Sequence, residues 1–250
     1  MEAATPLLEP PTNYTERKNM EQLQVLIADD SEFMRVAYRR ILESESNLRI
    51  VAMAANGEEA SKLAAETRPD VAILDVRMPK VDGIQAAHEI RRNNLKTSIV
   101  VISACDDLAF VADLMRYGVE KKAYLLKYSL SDITGLIRIV EAVHQGQTIL
   151  DSGIVQRMAR LFCKHSDLLD TDLCGEEQDL LGLMAEGYSD DRVCATLHLD
   201  RANVERQSES IYEKFGLLGG TTLDRRMTAI QVFVNQIHKV PLSMEYDAVG

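Results

Sequence analysis

The sequence predicts a parallel, doubly wound α/β domain followed by a small all-helical domain, and three observations support this. Short apolar runs alternate five times with amphipathic stretches before residue 146. These runs are apolar throughout, as expected of strands that helices cover on both faces of a sheet. After residue 146 we find only helical patterns, so we expect the sheet to end there.

Each apolar run of the first half predicts a buried strand, and each amphipathic stretch predicts a helix packed on the sheet. The predicted strands are Val25–Ala28, Ile50–Met53, Val71–Leu74, Ile99–Ile102 and Ala123–Leu126. The predicted helices are Phe33–Leu42, Glu58–Arg68, Ile84–Arg92, Asp107–Tyr117 and Ser131–Gln145. We expect these ten elements to form one domain with five parallel strands.

The second half predicts short helices bounded by capping residues, glycine or proline. A helix from Ser152 to Phe162 precedes a polar stretch, Lys164 to Asp172, which we interpret as a linker. Four helices are predicted beyond it, at 176–186, 189–197, 200–216 and 226–239. We therefore expect a disordered tail (1–20), the α/β domain (21–146), a linker with a short helix (147–172), the helical domain (173–240) and a second tail (241–250).

Composition limits the classes of function. The net charge of -11 argues against a surface built entirely to attract nucleic acid or anionic lipid, so any DNA affinity must be local. The four cysteines show no zinc-ligand spacing, and we expect reduced thiols in a cytoplasmic protein. We find no apolar run of about 18 residues and no signal peptide, so we expect no contact with a membrane.

Polar side chains follow the predicted strands where a working crevice is expected, at their carboxyl ends. Asp29 and Asp30 follow the first strand, Asp75 the third, Ser103 ends the fourth, and Lys127 follows the fifth. Three carboxylates in one crevice would repel one another unless a divalent cation lay among them, and such oxygen ligands suit Mg²⁺. The sequence therefore predicts a magnesium site at this edge of the sheet.

The same residues predict a phosphoryl-accepting site. Mg²⁺ held by carboxylates can neutralise a phosphoryl group while the carboxylate of Asp75 attacks phosphorus. Lys127 and Ser103 would then bind phosphoryl oxygens. Taken singly, each residue has an ordinary alternative: the aspartates can cap helices, Ser103 can lie in a turn, and Lys127 can be solvated.

Residues Leu23 to Gln145 resemble the flavodoxin-like receiver domain of bacterial two-component response regulators. The resemblance rests on the acidic pair at 29–30, the segment DVRMPKVDG at 75–83, the Ser-Ala pair at 103–104 and the segment YLLK at 124–127. It implies that a histidine kinase phosphorylates Asp75. It also implies that Asp30, Asp75 and the Arg77 carbonyl bind Mg²⁺ directly, with Asp29 acting through water.

The resemblance further implies a switch, and one segment of the chain departs from the family pattern. Tyr124 would be the switch aromatic, moving inward as Ser103 shifts toward the phosphoryl group. Such a domain catalyses only its own phosphorylation and dephosphorylation, so we expect a regulator and not an enzyme. The connection from Gly118 to Ala123 is longer than the usual family connection.

The second half carries a set of framework residues: Glu177, Leu180-Leu181, the segment MAEG at 184–187, Ser189, Val193, Leu197, Val204 and Ile211 to Leu217. In these positions Leu173 to Leu217 resemble the four-helix DNA-binding domain of LuxR-type (NarL/FixJ-like) regulators, with a helix-turn-helix. Val204, Ser208, Ile211 and Phe215 fall on one face of a predicted helix and are expected to pack inward. The opposite face would enter the major groove of DNA. The candidate DNA-contacting residues are Asn203, Glu205, Arg206 and Glu209.

The charge of this domain leaves two interpretations open. Residues 173–217 contain ten acidic and four basic side chains, and duplex DNA repels such a surface. The domain is therefore either a DNA-binding output whose affinity is weak or partner-assisted, or a helix-turn-helix framework that binds a protein partner. A homodimer is expected, and the last predicted helix carries a stripe of Ala229, Val232, Phe233 and Gln236 that could pair two copies or simply pack in the core.

Overall fold

The computed structural model describes residues 22–130, 133–164 and 173–239 of the chain. Within these residues the chain forms six strands and ten α-helices. The predicted tails at 1–20 and 241–250 lie outside the described residues, as do residues 165–172 of the predicted linker.

All strands pair in parallel in a single sheet with the order β2-β1-β3-β4-β5-β6. The strands are β1 (Leu23–Ala28), β2 (Leu48–Ala54), β3 (Val71–Leu74), β4 (Ser98–Ser103), β5 (Lys122–Leu126) and β6 (Thr148–Leu150). The doubly wound α/β prediction is confirmed. This order places the carboxyl ends of β1, β3, β4 and β5 next to one another.

Helices cover both faces of the sheet, as the uniformly apolar strands predicted. The helices of this half are α1 (Glu32–Leu42), α2 (Gly57–Thr67), α3 (Gly83–Asn93), α4 (Leu108–Met115), α5 (Ile133–His144) and α6 (Ser152–Lys164). The apolar residues of α1 and α5 pack on one face, and those of α2, α3 and α4 pack on the other. None of the helices that the structure describes combines the length and the apolar character needed to cross a bilayer.

The prediction of five strands was wrong by one strand. β6 pairs with β5 through Lys122 with Thr148, Ala123 with Ile149 and Tyr124 with Leu150. Three residues are too few to give a periodic signal, and the edge position of β6 is created by the chain reversal at Gly146, where φ is 105°. The segment 147–172 is therefore not only a linker, because β6 extends the sheet.

The second half folds into a bundle of short helices, as predicted. Its helices are α7 (Gly175–Ala185), α8 (Asp190–Leu197), α9 (Arg201–Lys214) and α10 (Thr222–Asn235), followed by a 3₁₀ turn at Gln236–Lys239. α10 begins before the predicted start because Thr221 and Asp224 form a capping box. Asp200 caps α9 as expected, by accepting a hydrogen bond from the Asn203 backbone N–H at 2.7 Å.

This helical bundle packs directly against the α4 and β6 side of the sheet domain. The Gln231 side-chain amide donates to the Met115 carbonyl at 3.1 Å, which joins α10 to α4. The ring of Phe233 meets Phe162 of α6 edge to face, with centroids 5.2 Å apart. In the stripe of the last helix, Ala229, Phe233 and Gln236 are buried, so core packing accounts for these residues within one chain.

Candidate functional site

Three carboxylates converge at the carboxyl ends of two neighbouring strands. Asp29 and Asp30 follow β1, and Asp75 follows β3, which is hydrogen-bonded to β1. One carboxylate oxygen from each of the three residues lies within 4.8 Å of the other two. The sheet order thus brings together acids that are 45 residues or more apart in the chain.

Lys127 lies directly against two of these acids. Its Nζ donates to Asp29 Oδ2 at 2.8 Å and lies 3.1 Å from Asp75 Oδ1. The two acids are almost completely buried, with 1% and 6% of their surface exposed, while Asp30 is exposed. Lys127 is therefore not a solvated surface lysine, and the ordinary alternative for this residue is wrong.

The electrostatics of the cluster depend on burial. Burial raises the pKa of Asp75, Lys127 acts in the opposite direction, and the charges of Asp29 and Asp30 add to the increase. For Lys127, burial acts to lower the pKa, but the hydrogen bond that it donates to Asp29 and the charge of Asp75 outweigh burial and raise the pKa. One ammonium thus faces three carboxylates, which leaves an excess of negative charge at hard oxygen ligands. Such a donor set fits Mg²⁺.

A close backbone contact fixes the loop that carries Asp75. The Gly83 N–H donates to the Val76 carbonyl at 2.9 Å, and a Cβ added at Gly83 would lie 1.9 Å from the Asp75 carbonyl oxygen. Only glycine fits this contact, which explains the Gly at the end of the segment 75–83. Arg77 lies in the same loop, and its guanidinium is 3.8 Å from Cys105 Sγ.

Ser103 and Tyr124 lie beside the acid cluster on β4 and β5. Both residues are fully buried, and the Tyr124 hydroxyl donates to the Cys105 carbonyl at 2.8 Å. Burial raises the pKa of Tyr124 well above its usual range. Ser103 Oγ accepts a hydrogen bond from the Cys105 N–H at 2.9 Å, so the turn role considered for this serine is present in the structure. The ring of Tyr124 occupies an inward position here.

Sequence comparisons assign this site to a family. Residues 25–138 match the response regulator receiver domain family. The oxygen regulatory protein NreC of Staphylococcus haemolyticus is 30% identical over 203 residues, which span 78% of this chain and 92% of NreC. The chain belongs to the two-component response regulators.

Two further comparisons extend over both halves of this response regulator. The transcriptional regulatory protein DegU of Brevibacillus brevis is 26% identical over 219 residues, which span 81% of the chain and 91% of DegU. The structure of the RcsB response regulator of Salmonella typhimurium matches 88% of the chain and 100% of RcsB with a TM-score of 0.50 and 21% identity, which supports the fold. The second half of the response regulator is consistent with a LuxR-type helix-turn-helix output domain.

Helix α9 of this output domain presents the residues predicted to face DNA. Val204, Ser208 and Ile211 are buried and Phe215 is half-buried, as expected for the inward face. The opposite face is exposed except at Asn203, which is half-buried. Its acids already have basic neighbours within the domain. Arg201 Nε lies 3.2 Å from Glu205 Oε1, and Arg225 Nη1 lies 2.6 Å from Glu209 Oε2.

One candidate DNA contact is also engaged within the helix. Arg206 Nη2 donates to the Asn203 side-chain oxygen at 2.6 Å. Its guanidinium is exposed and lies on the same face as Glu205 and Glu209. Arg206, the basic residue among the four candidate DNA contacts, is therefore accessible to a ligand.

A buried acid joins α7 to α9. Glu177 is 5% exposed and accepts hydrogen bonds from Ser210 Oγ at 2.7 Å, from Lys214 Nζ at 2.6 Å and from the Cys174 N–H at 2.8 Å. Burial by itself raises the pKa of Glu177, but these bonds outweigh it and lower the pKa to about 2. The sequence resemblance pointed to Glu177 only as a framework position, and the structure gives the reason.

Sequence reasoning missed Arg35 at the receiver site. The Arg35 guanidinium donates to the backbone carbonyls of Asp29 at 2.8 Å and of Asp30 at 3.2 Å, so it fixes the segment that carries both acids. A signal was present in the chain, because a helix that starts just after the acid pair directs the side chain of its fourth residue back toward that pair.

Proposed function

We propose that this response regulator accepts a phosphoryl group on Asp75, with Mg²⁺ held by Asp30, Asp75 and the Arg77 carbonyl and reached by Asp29 through water. The single observation that carries the proposal is the cluster of three carboxylates within 4.8 Å, with the Lys127 ammonium against two of them. When bound, Mg²⁺ would supply charge neutralisation for a phosphoryl group.

Asp75, Lys127 and Ser103 each take a different part in the proposed reaction. A carboxylate oxygen of Asp75 forms a bond to phosphorus as the bond between phosphorus and the donor's leaving atom breaks. Lys127 then exchanges part of its contact with Asp75 for a phosphoryl oxygen, and the Ser103 hydroxyl donates to another. Asp29 and Asp30 would hold the cation beside Asp75 and take no part in the bond to phosphorus.

The donor would be a histidine kinase, as the resemblance to receiver domains implies. Phosphorylation would draw the Ser103 hydroxyl from the Cys105 N–H toward the phosphoryl group, and would favour the inward position of the Tyr124 ring. The α4 side of the receiver carries the contact with α10, so a change there would reach the output domain directly. We further propose that two copies of the chain act as a homodimer.

The output domain is proposed to bind duplex DNA through α9, with Asn203, Glu205, Arg206 and Glu209 toward the major groove. The DNA interpretation is favoured over a protein partner because a relative that spans both domains, DegU, is named a transcriptional regulatory protein. Arg206 would contact guanine and the glutamates would accept from cytosine amino groups. With few basic residues for phosphate contacts, we expect weak affinity with a small salt slope.

The first test is phosphorylation by a small phosphodonor. Incubation with acetyl phosphate and Mg²⁺, followed by a phosphate-affinity gel, should shift the wild type and the exposed control Asp179→Ala equally. Asp75→Ala should lose the shift by at least about a hundredfold, because the acceptor oxygen is gone. Equal shifts for wild type and Asp75→Ala would reject the proposal.

The second test concerns DNA. Phosphorylated wild type should retard a subset of genomic fragments in a gel-shift titration at low salt, and Arg206→Gln should weaken this retardation by about tenfold. If phosphorylated protein retards no fragment at any ionic strength, the output domain does not bind DNA and the protein-partner alternative replaces it.

A further inference from the structure

A second cavity lies in the receiver at the end of the sheet opposite to Asp75. It has a volume of about 320 Å³ and lies between the end of α3 and the connection from α4 to β5. Its lining consists of His88, Arg91, Arg92, Leu95, Tyr117 and Lys122. β5 begins at Lys122 and leads to Lys127, so the two sites lie about 16 Å apart along one strand.

The floor of this cavity holds a buried ammonium group with unused donors. Lys122 is only 3% exposed, and its Nζ donates to the Leu114 carbonyl at 2.7 Å. Among the described residues this carbonyl is its single hydrogen-bond acceptor, whereas an ammonium has three N–H donors. Burial of a cation with a single acceptor destabilises the fold, because the lost hydration is not replaced. An anion in the adjoining cavity would supply the missing acceptors.

Two guanidinium groups line the same cavity. Arg91 Nη1 donates to the carbonyls of Leu95 at 2.6 Å and Thr97 at 3.1 Å, which fixes this side chain at the wall. Arg92 is exposed at the mouth. Among the described residues that line the cavity none is acidic, so three cations face one small volume.

The acids nearest to the cavity stand outside its lining. Asp113 lies 3.3 Å from Arg116 and 3.6 Å from His88 Nε2, too far from the histidine for a hydrogen bond. Glu120 acts on Arg91 and Lys122 by charge only and is exposed. Burial and the charge of Arg91 lower the pKa of Lys122 to about 8 despite Glu120. The charge around Lys122 is therefore uncompensated on the cavity side.

An aromatic and an aliphatic side chain complete the wall. Tyr117 is 73% exposed, and its ring meets the His88 ring edge to face with centroids 5.3 Å apart. Leu95 is also 73% exposed. Such a combination of convergent charges and apolar wall is typical of sites for small organic molecules, although this cavity is at the small end of their range.

We propose that this cavity binds the oxyanion group, carboxylate or phosphate, of a small organic molecule. The Lys122 ammonium and the Arg91 guanidinium contact the oxyanion, Arg92 closes the mouth, and Tyr117 packs against the organic part. The long connection from Gly118 to Ala123, which departs from the family pattern, delivers Lys122 to this position. Its residues are separate from those proposed to hold the phosphoryl group on Asp75.

Calorimetric titration of the full chain in buffer freed of metal ions by a chelating resin tests the proposal, with succinate and inorganic phosphate as probes. The resin removes divalent cations without leaving a soluble carboxylate, so phosphate has no metal to bind at the three aspartates. We expect saturable binding of at least one probe to one site, and the probe that binds identifies the oxyanion. Arg92→Gln and Lys122→Met should each weaken binding about tenfold or more, whereas the exposed control Arg40→Gln on α1 should not.

A second readout separates ligand binding from a purely structural role of Lys122. At pH 8 an oxyanion should raise the fraction of protonated Lys122, so binding should take up a proton. Titrations in two buffers of different ionisation enthalpy measure this uptake, which Lys122→Met should abolish. Absence of saturable binding by both probes, or equal affinity in wild type and Arg92→Gln, overturns the proposal. Arg92 is exposed, so its variant decides the question even if Lys122→Met does not fold.

Discussion

The receiver site and helix α9 both concentrate carboxylates, but they treat the charge in opposite ways. At the receiver site Asp29 and Asp75 are buried and share a single ammonium, and a carboxylate oxygen of the exposed Asp30 lies within 4.8 Å of one from each of them. On α9 the side chains of Glu205 and Glu209 are 63% and 53% exposed, and each forms an ion pair with an arginine. Excess negative charge in a buried site favours the binding of a cation. Exposed ion pairs, in contrast, only reduce the net charge of a surface.

The difference shows why similar acidic residues support different conclusions. In the receiver, the repulsion among three carboxylates supports the proposed cation site. In the output domain, the pairs leave α9 with little net attraction for DNA phosphates. Four experiments test this difference between buried and exposed acids, and they follow in order of decreasing effect on stability.

Removing the shared cation should destabilise the receiver most. Lys127→Met in EDTA is expected to lower the free energy of unfolding by about 3 kcal/mol, because Asp29 and Asp75 remain buried without their ammonium. Urea unfolding measures this, with the exposed Lys62→Met on α2 as the control that should change little. An equal loss of unfolding free energy in Lys127→Met and Lys62→Met would mean that the buried Asp29 and Asp75 do not depend on the Lys127 ammonium.

The buried acid of the output domain should come next. Glu177→Gln is expected to lower the free energy of unfolding at pH 7 by about 2 kcal/mol, because Lys214 and Ser210 lose a charged acceptor. The folded pKa of about 2 lies below the ordinary value, so this contribution is complete above about pH 5 and is lost as the pH falls toward 2.

Urea unfolding at several pH values checks this prediction. The difference between wild type and Glu177→Gln should narrow steadily below pH 5, while the exposed Glu213→Gln should match the wild type throughout. A difference that stays constant with pH would contradict the assigned charge interaction.

Magnesium should stabilise the receiver more modestly. At about ten times its dissociation constant, Mg²⁺ is expected to raise the free energy of unfolding of the wild type by about 1.4 kcal/mol. Asp30→Asn should remove most of this gain because one carboxylate ligand is lost. Thermal unfolding with and without Mg²⁺ provides the measurement, and an unchanged gain in Asp30→Asn would place the cation elsewhere.

The smallest effect on stability is expected on α9. Glu209→Gln breaks an exposed pair and should change the free energy of unfolding by less than about 0.5 kcal/mol. It should nevertheless tighten binding to a random-sequence duplex about fivefold in fluorescence anisotropy. Such binding uses no base contact of Glu209, a negative charge disappears, and Arg225 becomes available to phosphate. Glu66→Gln on α2 changes the net charge equally and should leave DNA affinity unaltered.

Much of the fold followed from local pattern. The strands from β1 to β5 are continuous apolar runs, and the helix that begins near Asp200 carries its own cap, so both could be predicted within a few residues. β6 could not, because its three residues gain strand character only by pairing with β5. The start of α10 was also missed, since it depends on the reciprocal bonds of Thr221 and Asp224.

The candidate site was predicted unevenly for a similar reason. Residues at strand ends were predictable, because strand order alone places Asp29, Asp75 and Lys127 at one edge. Arg35 was missed although its position in α1 gave a signal, because its guanidinium binds backbone carbonyls and belongs to no motif. Cys105 could not be predicted, because it contributes its backbone carbonyl and not its side chain. The cationic cavity around Lys122 was likewise hidden, since its residues come from separate segments that only packing brings together.

Residue types and their spacing were enough to predict the α/β layering, the acids of the receiver and the acidic character of α9. Tertiary structure decided which charges are buried, which are paired and which side of the receiver holds the output domain. Burial and pairing depend on distances between segments far apart in the chain. Such distances are set when the whole core packs, and no local pattern records them.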